Sequence, residues 1–178
     1  MLSDPQPHAV VDVGAGTGTF VAELAERAPG VKISGIDGDP AILARAAEKV
    51  AQFGARIELR EGLAQQLPIA EDSVDVVVMT LVLHHLDGVT KRAALAEARR
   101  VLRPGGRIVV ADWGKPVDRF SRGLFFLLQL LDGFDTTRAH AAGEIPQLIE
   151  ACGFENVKRA GRWPTAWGTL ELLTGTSR

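Results

Sequence analysis

The stretch Ala9-Val10-Val11-Asp12-Val13-Gly14-Ala15-Gly16-Thr17-Gly18-Thr19-Phe20 constrains this chain more than any other. It reads as a buried strand that runs into three glycines spaced two apart, and then into a helix. Such a turn lets the backbone approach a ligand closely, because glycine has no Cβ to block it. The helix that follows offers unpaired N–H groups and a positive dipole end. Nineteen residues beyond Gly18, a second apolar run, Val31-Lys32-Ile33-Ser34-Gly35-Ile36, ends at Asp37. A carboxylate at that distance, at a strand end, can accept hydrogen bonds from both hydroxyls of a ribose. Turn and acid together point to a nucleoside-containing cofactor. A tight strand–helix turn without a ligand is the plain alternative, and a glycine triplet alone does not exclude it.

The glycine spacing selects among cofactors. A dinucleotide fingerprint reads G-x-G-x-x-G. Here the order is G-x-G-x-G, and Thr19 stands where the third dinucleotide glycine belongs. That substitution argues against a nicotinamide-dependent oxidoreductase.

At 178 residues the chain is expected to form a single domain over 1–178. A formal net charge of −2 gives no general attraction to nucleic acid. The basic run Arg99, Arg100, Arg103 and Arg107 is read as capping a helix C-terminus. The single cysteine, Cys152, excludes an intramolecular disulfide and a cysteine-based zinc site. Met1-Leu2-Ser3-Asp4-Pro5 has neither the basic nor the apolar region of a secretory leader, so a cytoplasmic location is expected. The most apolar stretch, Leu124 to Leu131, is too short to span a bilayer.

Strands and helices alternate along the chain. Strands are expected at about 8–13, 31–36, 56–60, 74–79 and 107–112, and helices at about 17–28, 39–50 and 89–102. Asp39 is the expected N-cap of the second helix, with Pro40 at its first position. Val74-Asp75-Val76-Val77-Val78-Met79 has the β-branched, apolar character of a central parallel strand. The spacing predicts further helices at 118–132 and 143–152, then two strands at 154–161 and 165–173 flanking Arg162-Trp163-Pro164. Such alternation implies a parallel sheet covered on both faces. Ligands of these sheets sit at the carboxyl ends of the strands. The glycine turn, Asp37, Gly62-Leu63-Ala64, Met79-Thr80-Leu81 and Asp112 all fall at such ends.

From about residue 8 to 174 the chain resembles the class I S-adenosylmethionine-dependent methyltransferases, in particular the small-molecule group that includes ubiquinone and menaquinone biosynthesis enzymes. Val11-Asp12-Val13-Gly14-Ala15-Gly16-Thr17-Gly18 looks like the first motif of that family, and Gly35-Ile36-Asp37-Gly38-Asp39-Pro40 like the second. Leu67-Pro68 through Ser73-Val74-Asp75-Val76-Val77 is similar to its approach to the fourth strand. Thr80-Leu81-Val82-Leu83-His84-His85-Leu86 is similar to the loop that follows, and Leu102-Arg103-Pro104-Gly105-Gly106 to a later turn.

The resemblance implies a Rossmann-like, doubly wound fold of seven strands in the order 3-2-1-4-5-7-6, the last strand antiparallel. It implies S-adenosylmethionine as cofactor and S-adenosylhomocysteine as product. The cofactor would lie against Asp12, Gly14, Ala15, Gly16, Gly18, Asp37, Gly38, Leu63, Ala64, Thr80 and Leu81. Two departures stand out. The family often has Gly-Asp-Ala after the third strand, where the Asp meets the adenine amino group; here Leu63 takes that place, so adenine would rely on apolar packing. The family usually carries one or more helices before the first strand, whereas about seven residues precede it here. The expected site is open, or completed by another chain, or the sequence is shortened at this end.

Methyl transfer from a sulfonium is an in-line displacement, so alignment and desolvation supply most of the catalysis. Candidate bases are His84, His85, Asp112 and His140, with His84 and His85 closest to the expected methyl position and His85 the expected loop-fixing member of that pair. The adjacent His84 and His85 lack the i, i+4 spacing of a helical metal site, and no metal is expected. A lid-like insertion at about 114–142 would cover the acceptor. Its apolar run suggests a lipophilic small-molecule acceptor, a membrane-surface contact or a homodimer interface. The alternatives are a methyltransferase-like protein that binds without turnover and, more distantly, an NAD(P)-dependent oxidoreductase.

Overall fold

The computed structural model describes residues 7–116, 123, 133–165 and 168–178. Seven strands form one sheet: β1 (Ala9–Val13), β2 (Lys32–Asp37), β3 (Ile57–Glu61), β4 (Val74–Thr80), β5 (Leu102–Trp113), β6 (Phe154–Thr165) and β7 (Gly168–Ser177). Their order is β3-β2-β1-β4-β5-β7-β6. The pairs from β3 to β5 are parallel, and β7 runs antiparallel to both β5 and β6. This is the doubly wound order that the family resemblance implies.

The helices are α1 (Thr19–Arg27), α2 (Pro40–Val50), α3 (Gly88–Val101), α4 (Phe134–Ala142) and α5 (Ile145–Ala151). Asp39 caps α2 by accepting from the N–H groups of Ala41 and Ile42, with Pro40 at the first helical position. Leu43, Ala46 and Val50 of α2 are buried, at the spacing of one helical face. On one face of the sheet, α1 and α2 pack over Val10, Ile33, Val76 and Val78. On the other, Ala94, Leu95, Ala98 and Val101 of α3 and Ile145 and Ile149 of α5 pack over Val11, Val13, Val77, Met79 and Ile108. An open groove of about 1150 Å³ lies on the first face beyond α1, lined by Phe20, Leu24, Val78, Val109 and Leu172 among others.

Two boundaries differ from the sequence reading. Arg103-Pro104-Gly105-Gly106 does not precede β5 but lies inside it, as a register shift between the pairs Val74–Leu102 and Val76–Arg107. Arg162-Trp163-Pro164 is no turn; β6 continues through it to Thr165. Proline is tolerated there because β6 is the edge strand, where a missing N–H leaves no neighbour unpaired. The helix expected at 118–132 lies outside the described residues, apart from Gly123. No helix among the described residues is long and apolar enough to cross a membrane.

At the amino end of the sheet, Asp75 ties β1 to β4. Its Oδ2 accepts from the N–H groups of His8 and Ala9 at 2.7 and 2.9 Å, and its Oδ1 pairs with Arg103 at 2.5 Å. Asp75→Ala leaves those donors without their acceptor and should lower stability by about 1–3 kcal/mol in a urea titration. A midpoint equal to that of the unmodified protein would contradict this assignment.

Candidate active site

The glycine turn and the end of β2 are built as one unit. The carbonyl of Ile36 accepts from the N–H groups of both Gly14 and Ala15, at 2.7 and 2.9 Å. One residue on, the Asp37 carboxylate accepts from Gly16 N–H at 2.8 Å through Oδ2 and from Asp39 N–H at 3.0 Å through Oδ1. Gly14 and Gly16 both lie in the left-handed region, with φ of 73° and 54°. A Cβ on Gly14 would run into Val82, so the loop after β4 packs against this turn. A Cβ on Gly16 would meet nothing within 4 Å, so this residue faces open space beside Asp37.

Next to Asp37 the chain forms a cleft of about 480 Å³ lined by Gly38, Glu61, Gly62, Leu63, Gln66, Leu67 and Pro68. Leu63 is 52% exposed there, a large apolar side chain held in the open by a bridge to Gln66. Ala64 turns away and packs against the core, and Ala15 packs beside Val21. At the end of β4, Thr80 is half-buried. Leu81 adopts a left-handed φ of 55° and donates its N–H to the Ala111 carbonyl at 2.8 Å. A non-glycine residue in that region carries strain on the order of 1–3 kcal/mol, which the packing around it must hold.

Asp12, two residues before the turn, is 2% exposed. Its Oδ1 has no hydrogen-bond partner among the described residues. Burial first, and the negative charge of Asp37 second, push its carboxyl up to about 7. An acid in this state suits a ligand that brings an N–H donor or a positive charge.

A second group of polar side chains is buried where β4 and β5 end. His84 lies in the short helix Leu83–His85 after β4. Its Nδ1 meets Asp112 Oδ1 at 2.8 Å, and its backbone N–H reaches Asp112 Oδ2 at 3.3 Å. Burial pushes the Asp112 carboxyl up, but the His84 hydrogen bond and the nearby His140 and His84 rings outweigh it and hold it below the ordinary carboxylate range. His140 of α4 bonds through Nδ1 to the Trp113 carbonyl at 2.7 Å. Lys91 of α3, 1% exposed, donates to the carbonyls of Leu86 and Thr136. Burial lowers its ammonium to about 8 against the pull of Asp112 and Asp87. His84 is thus tied to the end of β5 and buried, while the neighbouring His85 is exposed.

The sequence reading passed over Lys91. The signal was present: Lys91 falls on the same helical face as Ala94, Leu95, Ala98 and Val101, all buried. A lysine in an inward stripe must have partners for its charge.

Asp12 gives a pH test. In the unfolded chain its carboxyl ionises near pH 4, but in the folded protein it keeps its proton to about 7. The folded state therefore binds more protons between those values, and stability falls as pH rises through that window. Relative to Asp12→Asn, the unmodified protein should lose up to about 1.4 kcal/mol per pH unit from pH 4 to 7. Parallel stability–pH curves for the two proteins would contradict the assignment.

Comparison with protein families matches residues 10–106 to a family described as "Methyltransferase domain". A demethylmenaquinone methyltransferase of Deinococcus radiodurans is 38% identical over 121 residues, covering 68% of this chain and 49% of that protein. One of Thermus thermophilus is 32% identical over 151 residues, covering 82% of this chain and 67% of that protein. The chain thus spans between about half and two thirds of these relatives. Among solved structures, a SAM-dependent methyltransferase of Methanosarcina mazei superposes with a TM-score of 0.78 over 99% of this chain and 94% of the other. At 19% identity that last likeness is one of fold. With more than half of its length matched, the chain belongs to the methyltransferase domain family.

Proposed function

We propose that this protein binds S-adenosylmethionine and catalyses transfer of its methyl group to a small, lipophilic molecule. The observation that carries the reading is the bond between Asp37 and Gly16 N–H, which sets a strand-end carboxylate beside the open face of the glycine turn. The residues fit the cofactor at three further points. The unpartnered Asp12 Oδ1 suits the amino group of a methionine end. Gly38, in the cleft beside Asp37, has Leu63 where a Cβ would sit, at 3.2 Å, so Leu63 packs directly over the backbone that follows the carboxylate. The exposed Leu63 offers an apolar surface to a base where the family often has an acid.

When bound, the cofactor supplies a methyl group on a sulfonium, a leaving group that needs no activation. The protein's task is then alignment and exclusion of water. In this reading Asp37 takes the ribose, Gly16 admits the chain of the cofactor at a turn whose shape Gly14, Ala15 and Gly18 fix by packing on Val82, Val21 and Ala46, and Thr80 and Leu81 bound the site from β4. His84 and His85 stand on the loop nearest the acceptor. Asp112 holds the ring of His84 in one orientation, so that His84 Nδ1 carries its proton toward the carboxylate. A lipophilic acceptor is supported by the demethylmenaquinone methyltransferases among the relatives.

Titration calorimetry tests the cofactor. S-adenosylmethionine and S-adenosylhomocysteine should bind and NAD should not. Asp37→Ala should weaken binding about 10- to 100-fold, the range of one lost charged hydrogen bond or slightly more. Unchanged affinity would refute the ribose assignment. Offered lipid-like and polar acceptors side by side, the protein should turn over the lipid-like ones; turnover confined to a highly polar acceptor would refute that half of the proposal.

A further inference from the structure

Parallel strands bury both of their faces. In this sheet the cover on one face stops short. Val10 of β1 and Val76 and Val78 of β4 lie beneath α1 and α2 at 2%, 5% and 6% exposure. Beyond α1, the side chains on that same face are only half-buried: Val109 and Ala111 of β5, Leu172 and Thr174 of β7. Their neighbours on the opposite face, Ile108, Val110 and Leu173, are at most 2% exposed. The groove of about 1150 Å³ along this half of the sheet is lined by α1 and by strands, and no other helix among the described residues contributes to it. Apolar surface left half-wet in the middle of a sheet calls for a partner.

The groove has two unlike walls. One is α1, which turns Phe20, Glu23, Leu24 and Arg27 toward it at the spacing of one helical face, with Phe20 37% exposed. The other is β6, the edge strand, which contributes Asn156, Lys158 and Ala160, all exposed. A ridge beside an open half-sheet can complement itself. Packed sheets lie about 10 Å apart and a helix is about 10–12 Å across, so a second sheet fits beside α1 at the same height. A two-fold axis parallel to β7 lays β7 over β7 of another copy and brings β6 of each against α1 of the other. An axis across the strands would instead set α1 on α1 and hold the sheets apart.

Charge and area both favour a second copy as the occupant. About the parallel axis, Glu23 on the α1 wall of one copy faces Lys158 on the β6 edge of the other, and the pair occurs twice. Both residues are exposed in the single chain, where Glu23 pairs only along its own helix, with Arg27 at 2.6 Å. Three strands at about 4.8 Å, with the ten residues of β7 at about 3.3 Å each, make a face of roughly 14 by 33 Å. Over two copies that is on the order of 1,000 Å², the threshold for a specific interface. A bilayer does not reach a face recessed behind α1.

We propose that the uncovered face of β5, β7 and β6 is a homodimer interface, in which two copies pack sheet on sheet about a two-fold axis parallel to β7. Thr80 lines the same groove, so the second copy closes it where it reaches the end of β4. The inference goes beyond the methyl-transfer reading and does not depend on it. Sedimentation equilibrium tests it. At about 100 µM, the range of a small interface, the protein should sediment at twice the monomer mass. Glu23→Lys and Lys158→Glu should each weaken the dimer about tenfold, since two attractive contacts turn repulsive at once. Mixed in equal amounts, the two variants should recover the unmodified affinity, because each supplies the charge that the other lacks. Leu172→Glu, at the centre of the face, should leave only monomer. Circular dichroism reports whether that variant folds, and the two exposed charge variants decide the question if it does not. A monomer at every concentration would assign the face to a different partner and overturn the proposal. A dimer indifferent to the charge variants, or variants that do not recover on mixing, would overturn it too.

Discussion

The short hydrogen bond from Gly16 N–H to Asp37 is the constraint on which the rest of the site depends. It joins the ends of two neighbouring parallel strands beyond their ladder. With Ile36 accepting from Gly14 and Ala15, it fixes the glycine turn against β2 and leaves the outer side of Gly16 open. The same carboxylate also accepts from Asp39 N–H, one residue before α2 begins. One side chain thus sets the turn, the start of a helix and the chemistry of the crevice between them. Its charge also adds to the larger effect of burial in raising the Asp12 carboxyl.

Around the other half of the site the protein spends buried polarity instead of open backbone. Lys91, His84, Asp112 and His140 come from α3, the loop after β4, the end of β5 and α4. Apart from the bond of Lys91 to Leu86, these contacts join residues distant in sequence, and each replaces solvent for a group that would otherwise resist burial. The result is a firm junction between the loop that carries His84 and His85 and the helix that follows the insertion.

The sheet was legible in the sequence because its signals are local and repeated. Apolar β-branched runs mark β1 and β4, and Asp39-Pro40 marks the start of α2. The position of Asp37 against the turn was legible too, since strand length and parallel register leave a strand-end residue few places to go. The β6 boundary was misjudged because Pro164 signals a turn unless the strand is known to be an edge, which only the assembled sheet decides. The histidine pair was harder still: the two rings lie together, 3.9 Å between centroids, and nothing local says which of them meets Asp112, 28 positions later. Lys91 becomes notable only when separate elements close over it.

A crystal structure of the protein with S-adenosylhomocysteine would probe the central claim most directly. The account requires the ribose hydroxyls on the Asp37 carboxylate, the base beside Leu63 and the amino group within reach of Asp12. A nucleoside seated elsewhere, or a crevice that stays closed between Gly16 and Asp37, would contradict it.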